Sequence, residues 1–164
     1  MGQTNIAVYP GSFDPITNGH IDLVQRSLRI FDRIIIAIST NAEKGSSLFT
    51  VEERLEMIRE VLREHGSRVQ IDSFSGLLVD YTDRIDAKVI VRGLRAVSDF
   101  EYEFQMAMMN RGLKSEIETL FMMTGESYFY ISSHLVKEVV SLKGDVSGLV
   151  PKNVLKRLKE KFHD

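Results

Sequence analysis

The sequence contains no cysteine. Disulfides, thiolate nucleophiles and Cys-ligated zinc sites are therefore excluded. Histidine is sparse: His20, His65, His134 and His163 form no H-E-x-x-H or similar close pair for a metal. No apolar run approaches the ~20 residues that span a bilayer. The N-terminus lacks the basic and apolar regions of a signal peptide. Met1-Gly2 opens like a myristoylation site, but Ile6 stands where Ser or Thr is required. Positive charge is not in excess either. A net charge of −2 speaks against a general nucleic-acid binder, yet leaves room for a local basic site. The expectation is a cytoplasmic protein with no membrane or nucleic-acid partner.

What is present suits one domain over residues 1–164, with 43% hydrophobic residues to build a core. Apolar runs alternate with helical patterns from end to end. Segments 5–9, 33–39, 68–74, 88–93 and 119–125 read as strands. Segments 20–31, 50–65, 76–85, 99–113, 132–144 and 151–162 read as helices. Thr50 and Glu53 form a capping box before the second helix, with Gly66 as its stop. Gly144 closes the fifth helix, and Pro151 opens the last. This alternation, with strands that are continuously apolar, predicts an α/β fold. Its core would be an open parallel sheet of about five strands with helices on both faces. A mobile loop is expected at 41–47, "NAEKGSS". The methionines Met106, Met108, Met109, Met122 and Met123 read as core filler rather than a cofactor box, with some of them left to line a ligand channel or a subunit interface.

Ligands of such sheets bind beyond the carboxyl ends of the strands, which directs attention to the loops there. After the first strand comes "PGSFDPITNGH" (10–20), not the G-x-G-x-x-G of a dinucleotide site. Gly11 and Gly19 permit close approach to the backbone. Asn18 is a candidate cap, and the helix start favours an anion. His20 adds a side-chain donor there. After the fourth strand, "VRGLRAVSDFEYE" (91–103) presents Arg92 and Arg95, which can clamp phosphate oxygens. After the fifth, "ISSHLVKE" (131–138) places two hydroxyls at a helix start. Each has a plainer reading alone: a solvated histidine, two surface arginines, an ordinary cap. Together they favour one phosphate-rich ligand. Asp99, Glu101 and Glu103 do not make a metal cluster, because only Asp99 and Glu103 share a helix face. The lysines and arginine of the last helix, with their acidic neighbours, read as a solvated face.

The set "PGSFDPITNGH", "RGLRAVSDFEYE", "MMNR" and "ISSHLVKEV", in this order, resembles phosphopantetheine adenylyltransferases, nucleotidyltransferases with an H/T-x-G-H signature. The resemblance spans essentially the whole chain. It implies a Rossmann-like single nucleotidyltransferase domain. The implied activity is transfer of AMP from ATP to 4′-phosphopantetheine, giving dephospho-coenzyme A and pyrophosphate in the penultimate step of coenzyme A synthesis. It also implies magnesium, bound mainly through ATP and water, and a homo-hexamer. His20 would stabilise the transition state, with Lys44 and Arg92 beside it. ATP would meet Ser12, Phe13, Thr17, His20, Gly93, Leu94, Arg95, Glu103 and the run Tyr128, Phe129, Tyr130, Ile131, Ser132, Ser133, His134. The acceptor would meet Ser12, Lys44, Leu78, Arg92, Asn110 and Glu138. His134 replaces a usual Ser or Thr, the 44–48 loop is one residue longer than usual, and Thr124-Gly125 replaces a commoner turn.

Two other readings stay open at this level. One is a sister enzyme with another acceptor, such as nicotinamide mononucleotide, or one joining CTP to a phosphorylated alcohol. The other is a non-catalytic nucleotide-binding module, which would need neither His20 nor Lys44.

Overall fold

The computed structural model describes residues 4–41 and 47–163. The chain runs β1 (Ile6–Gly11), α1 (Asn18–Ser27), β2 (Arg33–Ser39), α2 (Val51–Leu62), β3 (Val69–Phe74), α3 (Leu78–Arg84), β4 (Val89–Leu94), α4 (Val97–Leu113), β5 (Glu118–Met123), α5 (Ser133–Ser141) and α6 (Lys152–His163). The five strands make one parallel sheet in the order β3-β2-β1-β4-β5.

Side-chain alternation sorts the core onto two faces. Ala7, Tyr9, Ile34, Ile36 and Ile38 point to one side. There they pack with Leu23 and Val24 of α1, Met57 and Ile58 of α2, Val136 of α5 and Val154 of α6. Val8, Ile35 and Ala37 point to the other side and meet Tyr81 of α3. Both faces are covered, which is why the strands read as unbroken apolar runs.

Three helix boundaries differ from the sequence reading. Helix α2 ends at Leu62 and its last turn, 63–65, is 3-10; Gly66, at φ 54°, then breaks the helical run as its sequence position suggests. At the end of α5 the left-handed residue is Lys143 (φ 63°), not Gly144. Gly144 serves packing instead: a Cβ there would lie 2.5 Å from Val139 Cγ1 and 3.0 Å from its carbonyl oxygen. The cap of α1 is Thr17, not Asn18; Asn18 Nδ2 instead donates to Gly148 O at 3.0 Å.

The methionine stripe is also not core. Met122 is buried, but Met106, Met108, Met109 and Met123 are exposed, and no residue of α4 is buried. The basic face of α6 is partly engaged as well. Arg157 pairs with Glu56 at 3.1 Å and Lys161 with Glu53 at 2.9 Å.

The sheet order reverses at β1, because the chain grows outward to β3 and then returns to place β4 on the other side. β1 pairs with β4 at Ala7–Val89 and Val8–Ile90, and then the two strands part. A cleft opens between their carboxyl ends, where loops 10–17 and 92–99 face each other.

Candidate active site

The first wall of the cleft is the loop between β1 and α1. Thr17 closes a reciprocal cap with His20. Its Oγ1 accepts the His20 N–H at 3.4 Å, and its own N–H donates to His20 Nδ1 at 3.0 Å. Because Nδ1 accepts, the proton of the neutral ring sits on Nε2. The ring lies edge-on to Phe13, with centroids 5.0 Å apart, and near Tyr9. Burial first, then the charges of Arg95 and Arg92, lower the His20 pKa to about 4. His20 is thus a neutral hydrogen-bond donor at ordinary pH. Burial likewise raises the Tyr9 pKa, with Arg92 and Arg95 opposing it, so the phenol stays protonated.

The second wall comes from β4 and the first turns of α4. Arg92 donates Nε to Glu103 Oε2 at 2.8 Å, Nη2 to Glu103 Oε1 at 2.5 Å, and Nη1 to Pro10 O at 2.7 Å. Arg95 donates Nε to Asp99 Oδ2 at 3.0 Å, Nη2 to Asp99 Oδ1 at 3.2 Å, and Nη1 to Ile131 O at 3.3 Å. Both guanidiniums are held in fixed planes by bidentate carboxylates. Between them, Gly93 lets α1 approach β4: a Cβ there would lie 2.7 Å from Leu23 Cδ1. The third wall is the start of α5. Ser132 caps it, accepting the Leu135 N–H at 3.0 Å, and Ser133 Oγ donates to Pro15 O at 2.7 Å.

Two adjoining cavities result. The first, about 330 Å³, is polar and lined by Tyr9, Ser12, Phe13, Thr17, His20, Arg92, Gly93, Arg95, Asp99, Glu103, Thr124, Tyr128, Ile131, Ser132, Ser133 and His134 among others. The second, about 430 Å³, is largely apolar and includes Phe74, Leu77, Leu78, Ile90, Tyr102, Met106 and Asn110. They share Pro10, Gly11, Ser12, Arg92 and Glu103.

Most of the residues singled out in the sequence fall on these walls. Leu94, Phe129, Tyr130 and Glu138 line neither cavity. Leu94 is buried and its carbonyl accepts the Thr124 N–H at 3.0 Å. Phe129 and Tyr130 are exposed and packed edge-on to each other. Glu138 is exposed on α5. Lys44 and most of the 44–48 loop lie outside the described residues. Tyr9 and Asp99 line the polar cavity but were not picked out beforehand as ligand contacts. Their signal was positional: Tyr9 is the last large residue of β1, and Asp99 sits in the first turn of α4, four residues after Arg95.

Residues 8–139 match the cytidylyltransferase-like family model. A phosphopantetheine adenylyltransferase of Geotalea daltonii is 60% identical over 96% of this chain and 97% of its own length. One from Geobacter sulfurreducens is 57% identical over 97% and 96%, and one from Oleidesulfovibrio alaskensis 54% over 99% and 95%. The chain belongs to the phosphopantetheine adenylyltransferases. Its fold also matches the solved structure of a Vibrio parahaemolyticus protein assigned as a nicotinate-nucleotide adenylyltransferase. The TM-score is 0.70, with 18% identity, over 95% of this chain and 99% of that one. That neighbour supports the architecture alone. Membership in the adenylyltransferase family agrees with the site's layout, a polar chamber of donors beside an apolar one. No helix among the described residues is long and apolar enough to cross a membrane.

Proposed function

We propose that the protein transfers AMP from ATP to 4′-phosphopantetheine, releasing dephospho-coenzyme A and pyrophosphate. The observation that carries this is the shared wall of the two cavities. The polar chamber suits a triphosphate and the apolar one a pantetheine arm, and Ser12 and Arg92 line both, which supports them as the meeting point of the two reacting phosphates. An oxygen of the acceptor phosphate forms a bond to the α-phosphorus of ATP. The bond from that phosphorus to the bridging oxygen breaks, and pyrophosphate leaves.

The acceptor is already an anion, so the residues need not remove a proton from it. Their work is to align two negative groups and to neutralise the charge that builds up between them. His20 Nε2–H, Ser12, the Ser132 hydroxyl at the cap of α5 and the arginines supply donors fixed before reaction. Arg92, held by Glu103 and Pro10, keeps one orientation at the junction. Lys44 is assigned to both phosphates by family resemblance. Leu78 and Asn110 would meet the pantetheine arm, while Gly93, Arg95, Tyr128 and residues 131–134 would meet ATP. The part of Glu138 rests on resemblance alone.

Magnesium belongs to this reading as the ion that offsets phosphate charge when ATP is bound. Among the described residues no group of three His, Asp or Glu side chains could hold a metal, and Asp99 and Glu103 are engaged by arginines. The donor set therefore fits an ion carried by ATP oxygens and water. We also propose a homo-hexamer in the cytoplasm, where ATP is the donor. Supporting assembly is the unburied α4, whose Phe100, Tyr102, Phe104, Met106, Met108 and Met109 are 41–62% exposed.

The test is pyrophosphate release with ATP and magnesium in the presence of 4′-phosphopantetheine, pantetheine or nicotinamide mononucleotide. Release with 4′-phosphopantetheine alone is expected. Release with nicotinamide mononucleotide instead would replace this acceptor.

A further inference from the structure

The loop from Gly11 to Thr17 is secured by bonds from elsewhere in the chain. Arg54 of α2 is 1% exposed and donates Nη1 to Ser12 O at 2.8 Å. Ser133 of α5 donates to Pro15 O. Asp14 is the one charged side chain in this loop, and it is 4% exposed. Its Oδ1 accepts the Phe49 N–H at 2.9 Å. Its Oδ2 accepts the Leu48 N–H at 3.0 Å and the Lys137 ammonium at 2.6 Å. Lys137 is one helical turn beyond Ser133, so the two share a face of α5. Together they clasp adjacent residues of the loop, Pro15 and Asp14. Neither Asp14 nor Lys137 lines a cavity.

The Asp14 carboxylate is buried and the Lys137 side chain is 23% exposed; such a pair is a poor source of stability, because desolvation offsets its attraction. What such a pair does supply is a fixed geometry. This one joins the two polar walls of the site: the loop that ends in Thr17 and His20, and the helix start that carries Ser132, Ser133 and His134. We propose that Asp14 and Lys137 are positioning residues that set the spacing between these walls, and so the placement of the ATP phosphates against His20. The catalytic part rests on the proposed adenylyl transfer; the effect on ATP binding does not.

The experiment compares the parent with Lys137→Arg, Lys137→Met and the double variant Asp14→Asn/Lys137→Met. Melting temperature, ATP dissociation constant by calorimetry, and kcat and KM for both substrates are measured. Lys137→Met strands a buried carboxylate and is expected to melt lower. The double variant removes both charges and should recover part of that loss; an amide at position 14 has one acceptor oxygen where Asp14 uses two, so the Leu48 or Phe49 N–H loses its partner. Its ATP affinity and kcat/KM should nevertheless stay lower by about 10–100-fold, the scale of a small misplacement. Lys137→Arg should remain close to the parent in both. A purely structural pair predicts the opposite for the double variant: stability and activity recover together, and that result overturns the proposal. If the double variant does not fold, Lys137→Gln is set against Lys137→Arg. Parent-like ATP affinity in both would overturn the proposal equally. A parent enzyme that binds ATP but releases no pyrophosphate would sink the proposed reaction, while the binding comparison would still decide the clasp.

Discussion

His20 shows how much one side chain's environment decides. Its ordinary pKa of 6.5 is lowered to about 4. Between those values the unfolded chain takes up a proton that the folded protein refuses. The stability linked to His20 is therefore present above about pH 6.5 and falls as pH drops toward 4. In an NMR titration its imidazole signal should move with a midpoint near 4; a midpoint near 6.5 would mean the ring is not held neutral. His20→Ala should lower kcat by roughly 10²–10³, the cost of losing one transition-state donor. A first-turn histidine by itself promises little stability, but this one closes a cap. The variant should also lose about 1 kcal/mol, read from denaturant midpoints. Normal turnover in a folded variant would remove His20 from the mechanism. The sequence placed His20 at the cleft through "TNGH" but did not reveal its tautomer. Thr17 and Asn18 are both good cap types, and the choice falls to Thr17 because Asn18 is drawn to Gly148, 130 positions away. No local pattern encodes that bond.

Among the elements, the packing of α1 on β4 is the most exacting. Gly93 has an ordinary φ, so its role is steric rather than conformational. Leu23 is 1% exposed and has little room to turn aside. Gly93→Ala should cost about 1–3 kcal/mol of stability, in line with overpacking a tight core. It should also weaken ATP binding, because α1 carries His20. A melting temperature unchanged from the parent would show that Leu23 yields freely. The strands were legible because β-branched, continuously apolar runs admit few other placements. At α2 the left-handed Gly66 does break the helical run, whereas the end of α5 was misread because a glycine was taken as a conformational stop. In α5 the lysine before it accepts the left-handed turn, freeing Gly144 to sit against Val139. For the α4 methionines core was only the first of the readings, and it is the channel reading that Met106 fits; periodicity reports that a face is apolar, not what covers it.

For the molecule as a whole, the uncovered α4 face makes assembly testable. Met109 is 61% exposed and lines neither cavity. Met109→Glu should shift the species seen by light scattering to a smaller mass while ATP binding persists. An unchanged mass would locate the subunit contacts elsewhere. The order of the strands has one more consequence. β1, β2 and β3 follow one another along the chain, but β1 waits for Val89 and Ile90 before its other edge is paired. A nascent chain can gather its first three strands while that edge stays bare, a template for unwanted pairing. Docking of β4 closes the seam, and the same event brings Arg92 and Arg95 to the loop of His20. A ligand that bridges this seam binds only the form in which β4 is docked, and so adds its binding free energy to that docking. If ATP fills the site as proposed, the seam between β1 and β4 is also where it would stabilise the fold.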